Sequence, residues 1–367
     1  MPGSRCRILV TGASGLIGSE LCGQLVERGH AVIALVHRRR RLLRNDGAMM
    51  QPAPYAGTPP ELGTLQWVAG DIRKSNLGLG REEAVALTNA VELIVHCAAE
   101  TRFSPESDLH RSVNIDGTAN VVCFTRSAQG PAPGLVHLST AYVSGERSGP
   151  IAEEELDVGQ TFANGYEASK ASAEKLVHVS RLRAAIARPS IVVGTSETGA
   201  IGRFGNVYGL LRLIGAGRIT LLPAAAEASL DLVPIDHVIG GLIDIIERFE
   251  AAEGKTFHLV SGDPAPVAAL VAFDYSGLHV PRLVSPEQFD LRLLDPGERA
   301  LYHSVTSTYV AYLCRNPRFS AQNLLALSGR ACPPTGPGFL RRVVEYARAA
   351  GYLRPHNDTA LISSTVT

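Results

Sequence analysis

Short runs of β-branched and aliphatic residues alternate with amphipathic stretches through the first half of the chain. Arg7–Thr11 (RILVT) has the length and composition of a buried strand. Residues 18–28 follow as a predicted helix, with Leu21, Cys22 and Leu25 on one face. Further strands are predicted at Ala31–Val36, Leu65–Ala69, 93–97, 134–139 and 185–193, and helices at 82–89, 112–128 and 166–183. This alternation predicts an α/β fold with a doubly wound parallel sheet, covered by helices on both faces. The long connection 38–63 carries Pro52, Pro54, Pro59 and Pro60 and is expected to be irregular. After residue 197 the pattern changes. Residues 199–217 are punctuated by glycine around a helix at 207–213, a helix starts near Ile235, and a strand lies at 256–260. Residues 264–300 have no decisive period, and the rest reads as mostly helical, with a late helix at 339–350 and a polar tail.

Composition narrows the function classes. The 367 residues contain 35 Lys+Arg and 35 Asp+Glu, so the formal charge is zero. That balance argues against nucleic acid or an anionic membrane surface as partner. No run of about 18 apolar residues is present, so no membrane span is predicted. The chain enters its first strand within a few residues, which leaves no room for a signal peptide. The six cysteines form no CxxC pair and read as reduced, mostly buried thiols, which points to the cytoplasm. The sequence holds no HExxH and no GxSxG, so neither a metal site nor a nucleophile elbow is predicted. Gly254-Lys255-Thr256 mimics the end of a phosphate loop, but Phe249 stands where its first glycine is required.

The chemistry starts at the first strand–helix junction, ILVTGASGLIGSEL. Gly12, Gly15 and Gly18 supply a tight turn, close approach to a pyrophosphate and close helix–strand packing. Together with Ala13, Ser14, Leu16 and Ile17 they present a helix N-terminus to phosphate. This is the Rossmann-type dinucleotide site. At the end of the second strand an acid would select NAD, but His37 and Arg38 stand there, followed by Arg39–Arg41. A guanidinium can grip a 2′-phosphate, so NADP(H) is the expected cofactor. Asp71 and Ile72 follow the third strand, where a carboxylate can reach the adenine amino group. Ala98 and Ala99 follow the fourth, where small side chains let the cofactor lie close.

Tyr166 and Lys170 are four residues apart in GYEASKASAE, on one face of a helix. The ammonium is expected to lower the phenol's pKa, and the phenol to donate a proton to a carbonyl under reduction. Thr140, in VHLSTAYVSG, ends the fifth strand, where open α/β sheets keep their sites. Asn114 is expected to organise a water or backbone near the lysine.

These residues resemble the extended short-chain dehydrogenases/reductases over roughly residues 5–260. Within that superfamily the strings HCAAETRF, HLSTAYVSG, NGYEASKASAE and DLVPIDHV are similar to fatty acyl reductases and to thioester reductase domains of polyketide and peptide synthetases, the male-sterility type. The resemblance implies Thr140, Tyr166 and Lys170 as catalytic, and Asn114 is counted with them for its expected place near the lysine. It places Gly12, Gly15, Gly18, Arg38, Asp71, Ala98 and Pro189-Ser190-Ile191 around NADP, with Tyr166 and Lys170 also touching it. It implies a helix opening at Pro234-Ile235-Asp236 that packs back on the nucleotide-binding part. The expected division is a nucleotide-binding domain of residues 1–198 and 226–262, a smaller, mostly helical substrate domain of residues 199–225 and 263–357, and a tail from 358 to 367.

The implied reaction is NADPH-dependent reduction of an acyl thioester, bound to a carrier protein or to CoA, to an aldehyde, with a further reduction giving an alcohol. The enzyme is expected to act as a monomer or homodimer. Arg315, Arg318, Arg341 and Arg342 are expected at the rim of the substrate cleft, facing an acidic carrier. Two alternatives stay open at this point: a ketone, imine or hydroxysteroid oxidoreductase, and a sugar-nucleotide epimerase or dehydratase that retains its cofactor.

Overall fold

The predicted strands assemble into one eight-stranded sheet in the computed structural model, which describes residues 5–37, 41–102, 107–205, 207–272 and 279–354. The order across the sheet is Thr256–Leu259, Ala184–Pro189, Gly134–Leu138, Leu93–His96, Arg7–Thr11, Ala31–Val36, Leu65–Ala69 and Ala53–Pro54. Every neighbouring pair is parallel. The order reverses at Arg7–Thr11, which lies between the second strand and the fourth long one. That reversal opens a crevice at the carboxyl ends of the strands.

Both faces of the sheet are apolar because both are covered. In Arg7–Thr11, Ile8 and Val10 join one core and Leu9 the other, the two-residue alternation of a strand. The first core packs Leu21, Cys22 and Leu25 of helix Leu16–Glu27 against Val238, Ile239 and Leu242 of helix Ile235–Glu247. The helix opening at Ile235 thus packs back on the glycine-motif helix, as the resemblance implies. The second core lies under Leu87, Val121 and Phe124.

A third core collects the remaining helices. Helix Pro337–Ala349 contributes Phe339, Leu340, Val343, Val344 and Ala347, a stripe at three- and four-residue spacing, and starts with proline at its first turn. Helix Val207–Gly215 contributes Val207, Tyr208, Leu210 and Ile214. Ala141, Tyr142 and Ile151 enter this core from the first half of the chain. Strand Gly149–Ile151 also pairs in parallel with Pro317–Phe319.

Three details differ from the sequence reading. The strand expected over 185–193 is two strands: Ala184–Pro189 stays in the main sheet, and Ile191–Val193 pairs with Leu232–Pro234. The switch falls at Ser190, whose backbone N–H donates to Leu259 while the next N–H donates to Asp231. The connection 38–63 is partly regular, with a hairpin of Leu42–Leu43 and Met49–Met50 and an edge strand at Ala53–Pro54. A proline is tolerated on that edge, where its missing N–H has no partner to lose. Among the cysteines only Cys22 is fully buried, and Cys123 is exposed on the outer side of helix Asp116–Thr125. Among the described residues no helix is long and apolar enough to cross a membrane.

Candidate active site

The glycine turn is shaped by close contact. Gly12 has φ of +68°, and a Cβ there would stand 2.5 Å from the Ala98 backbone nitrogen. A Cβ on Gly18 would overlap the Gly12 carbonyl. Helix Leu16–Glu27 has no side-chain cap and no acid in its first turn, so its positive end faces the turn. This cradle, with Ser14 half-buried at the turn and Ala13 packed beneath it in the core, fits the pyrophosphate of a dinucleotide. Gly18→Ala is therefore expected to weaken binding of the nicotinamide cofactor by at least about tenfold, because helix and turn must separate. Cofactor fluorescence titration checks this, and unchanged affinity would contradict the cradle.

Around the cradle the expected cofactor residues fall on neighbouring strand ends. Ala98 donates its N–H to the Thr11 hydroxyl at 3.4 Å. Thr11 and Thr118 hold the two ring nitrogens of His96, at 2.7 and 3.1 Å. Burial pushes His96 down to about 3, so this buried ring is a neutral brace between strand and helix. Asp71 stands where expected, but its carboxylate is already held by Arg73 at 2.8 and 2.9 Å, with His37 at 3.5 Å. The Arg73 hydrogen bonds are the main reason the carboxyl is held at about 2. Ile72 is buried against Gly117. Ala99 is half-buried beside Ala98. Arg38, with Arg39 and Arg40, lies outside the described residues.

Arg203 was not legible in the sequence. Its guanidinium donates to the Ser14 carbonyl at 3.3 Å, 189 residues away in the chain. Nothing local to residues 200–206 marks one arginine as belonging to the glycine turn.

The catalytic candidates meet at the carboxyl end of Gly134–Leu138. Thr140 is buried, and its hydroxyl is hydrogen-bonded to Tyr166. It also donates to the Pro189 carbonyl at 3.4 Å and accepts from the Tyr142 N–H at 3.3 Å. Tyr166 sits in the first turn of helix Gly165–Ser180, whose N-cap Asn164 accepts from the Glu167 N–H at 3.0 Å. Lys170, one turn on, is 2% exposed, and its ammonium donates to the Leu138 carbonyl at 2.7 Å. Burial is the main influence on both titrating groups. It lowers Lys170 to about 8 and pushes Tyr166 up to about 12, against the pull of the Thr140 bond. The expected lowering of the phenol by Lys170 is thus not seen, because the ammonium is turned to the strand carbonyl. A phenol near 12 is protonated at neutral pH, the state a proton donor needs.

Asn114 lies in a π-helical turn, Arg111–Ile115. Its amide accepts from the Glu100 N–H at 2.8 Å and donates to the Glu100 carbonyl and to Ser169, at 3.0 and 2.8 Å. It organises backbone and ties the loop after the fourth strand to helix Gly165–Ser180. Ser190 donates to the buried carboxylate of Asp231. Ile191 opens an apolar cavity with Leu210, Leu230, Tyr309 and Tyr312. A second apolar cavity shares Leu210 and Leu230 with it and is lined also by Val193, Leu222, Leu340 and Val344. Cys97 has no acidic thiol, since burial pushes it up to about 12.

Of the four arginines expected at a rim, Arg318 and Arg341 are exposed. Arg342 is half-buried and donates to the Ser196 carbonyl at 2.9 Å. Arg315 is a correction. It is 3% exposed and paired with Glu167 at 2.6 Å, so it cannot meet a partner protein.

Comparison with known proteins agrees with this geometry. Residues 10–242 match the family model described as male sterility protein. The non-canonical nonribosomal peptide synthetase cpsA of Aspergillus campestris is 27% identical over 275 residues, 69% of this chain and 25% of that protein. The chain therefore spans about a quarter of that relative's length. The 2-alkyl-3-oxoalkanoate reductase of Stenotrophomonas maltophilia is 27% identical over 285 residues, 76% of this chain and 77% of that one. Among solved structures, the terminal R domain from the myxalamid PKS-NRPS biosynthetic pathway superposes with a TM-score of 0.76 at 24% identity, covering 97% of this chain and 93% of that one.

Proposed function

We propose that this chain, which belongs to the male sterility protein family and is an NAD(P)-dependent oxidoreductase, reduces an acyl thioester to an aldehyde. One observation carries the reading: the Thr140 and Tyr166 hydroxyls are hydrogen-bonded to each other at the carboxyl end of strand Gly134–Leu138, with the Lys170 ammonium anchored on the same strand. Two hydroxyls so placed can share one carbonyl oxygen.

When bound, the nicotinamide supplies a hydride to the thioester carbon. Thr140 and Tyr166 donate hydrogen bonds to the oxygen as it gains charge, and the Tyr166 proton passes to it. Lys170 holds a positive charge within one turn, anchored on the Leu138 carbonyl. The resulting hemithioacetal loses its C–S bond, releasing thiol and aldehyde. A second round gives the alcohol. No acyl-enzyme forms, in keeping with the unreactive Cys97 thiol.

The same reading assigns a carrier protein or CoA as the thiol, and a soluble cytoplasmic monomer or homodimer as the enzyme. It favours NADPH over NADH. Arg38→Ala is expected to weaken NADPH binding by about 1–3 kcal/mol, the scale of a charge-assisted hydrogen bond, and to leave NADH binding nearly unchanged. Equal affinity of the unmodified protein for the two cofactors would overturn that choice.

A second reading is ketone reduction by the same hydroxyls. It is favoured by the 2-alkyl-3-oxoalkanoate reductase, which this chain matches over 77% of its length. A panel of CoA and carrier thioesters, ketones and nucleotide sugars, each with NADPH and with products identified by mass, separates the readings. Aldehyde or alcohol from a thioester supports the first. Turnover of ketones alone moves the protein to the second.

A further inference from the structure

Arg315 lies outside the residues matched by the family model, in the C-terminal part of the chain, and yet stands directly behind the catalytic hydroxyls. Its guanidinium binds Glu167 at 2.6 and 3.4 Å and donates to the Gly145 carbonyl. Its guanidinium carbon also lies 4.8 Å from the centre of the Tyr142 ring and 4.2 Å from that of Tyr312, two rings that meet edge to face. Each contact leads to a catalytic side chain by one step. Glu167 follows Tyr166, and its carboxylate accepts the Ala163 N–H at 3.1 Å, closing the start of the Tyr166 helix. The Tyr142 N–H binds the Thr140 hydroxyl. Tyr312 accepts from Asn164, the N-cap of the same helix, at 3.1 Å. The segment carrying Arg315 is itself fixed, because Asn316 bonds Ser148 and Gly149 through its backbone.

We propose that Arg315 is a positioning residue for reduction, clamping the Thr140 turn and the Tyr166 helix together from behind and cancelling the Glu167 charge that adjoins Tyr166. Without it the buried carboxylate of Glu167 faces Tyr142, Tyr312 and the Tyr166 phenol with no cation in contact. A negative charge there opposes the charge that Tyr166 must take as its proton leaves. The guanidinium does two things that an ammonium does only in part: it binds the carboxylate through two nitrogens and sits against two aromatic rings at once.

The inference rests on the reading that Thr140 and Tyr166 act on a carbonyl, and the test separates the two. The full-length protein, Arg315→Met, Arg315→Lys and Arg315→Met with Glu167→Gln are compared, using NADPH and the panel substrate that the unmodified protein reduces fastest. Arg315→Met is expected to lower kcat by about tenfold or more, while KM and the NADPH dissociation constant stay within about twofold. Arg315→Lys should fall between, and the double variant should regain at least about threefold over Arg315→Met, as expected when an unpaired buried charge is removed. Melting curves accompany each. Where Arg315→Met does not fold, Arg315→Lys and the double variant decide. A folded Arg315 variant with the original kcat overturns the proposal, as does a double variant no faster than the single. An unmodified protein that reduces nothing in the panel overturns the functional reading, and this inference with it.

Discussion

Turnover by Tyr166→Phe is expected to fall by roughly 10²-fold or more, because the ring is kept and only the proton donor is lost. That factor corresponds to about 2.7 kcal/mol of transition-state stabilisation. The Thr140 hydroxyl remains, so a trace of oxyanion stabilisation survives. NADPH affinity should change little, since the cradle at Gly12 and Gly18 is untouched. The sign follows from the state of the phenol. Burial holds it near 12, so it begins each cycle protonated, and the proton it gives up is the one the carbonyl oxygen needs. Steady-state rates at saturating NADPH, with the cofactor dissociation constant measured in parallel, check this. Intact turnover would remove Tyr166 from the mechanism.

The largest effect on stability is expected one strand away. Arg188 and Glu174 form an ion pair at 2.6 Å, with side chains 1% and 0% exposed. Arg188 also donates to the Glu153 carbonyl at 3.1 Å and meets His258 at 3.2 Å. Burial alone would raise Glu174, but bonds from His178 and Arg188 hold it at about 2. Arg188→Met removes the cation and leaves a buried carboxylate, and should cost about 3–5 kcal/mol. Denaturant unfolding should show a lower midpoint for the single variant and a partial recovery when Glu174→Gln is added. A loss below about 0.5 kcal/mol would show that water reaches Glu174.

Local chemistry explains what could be read in advance. Arg7–Thr11, Ala31–Val36 and Leu65–Ala69 are apolar runs ended by polar or glycine residues, and the strands keep those bounds. The glycine cradle and the Tyr166–Lys170 spacing are likewise properties of short segments. What was not legible depends on partners far along the chain. The break at Ser190 divides one apolar run into two strands, and its side-chain partner Asp231 is 41 residues on. Arg315 looks like any surface arginine until Glu167, 148 residues earlier, is placed against it. The direction of the Lys170 ammonium is set by the Leu138 carbonyl on another element, so helical spacing alone misjudged its effect on Tyr166.

The pairing of Gly149–Ile151 with Pro317–Phe319 also bears on how the enzyme is made. Glu153 accepts the backbone N–H of Asn323, 170 residues later, and Gly149 donates to the carbonyl of Asn316. The ribosome adds about 5–20 residues each second, so roughly 9–34 s pass between Glu153 and Asn323. During that interval the main sheet can assemble, but the stretch joining Thr140 to Tyr166 still lacks its edge partner, and Glu167 its cation. The nascent chain can therefore close the glycine turn before Gly149–Ile151 and Glu167 meet the partners that Arg315, Pro317–Phe319 and Asn323 supply.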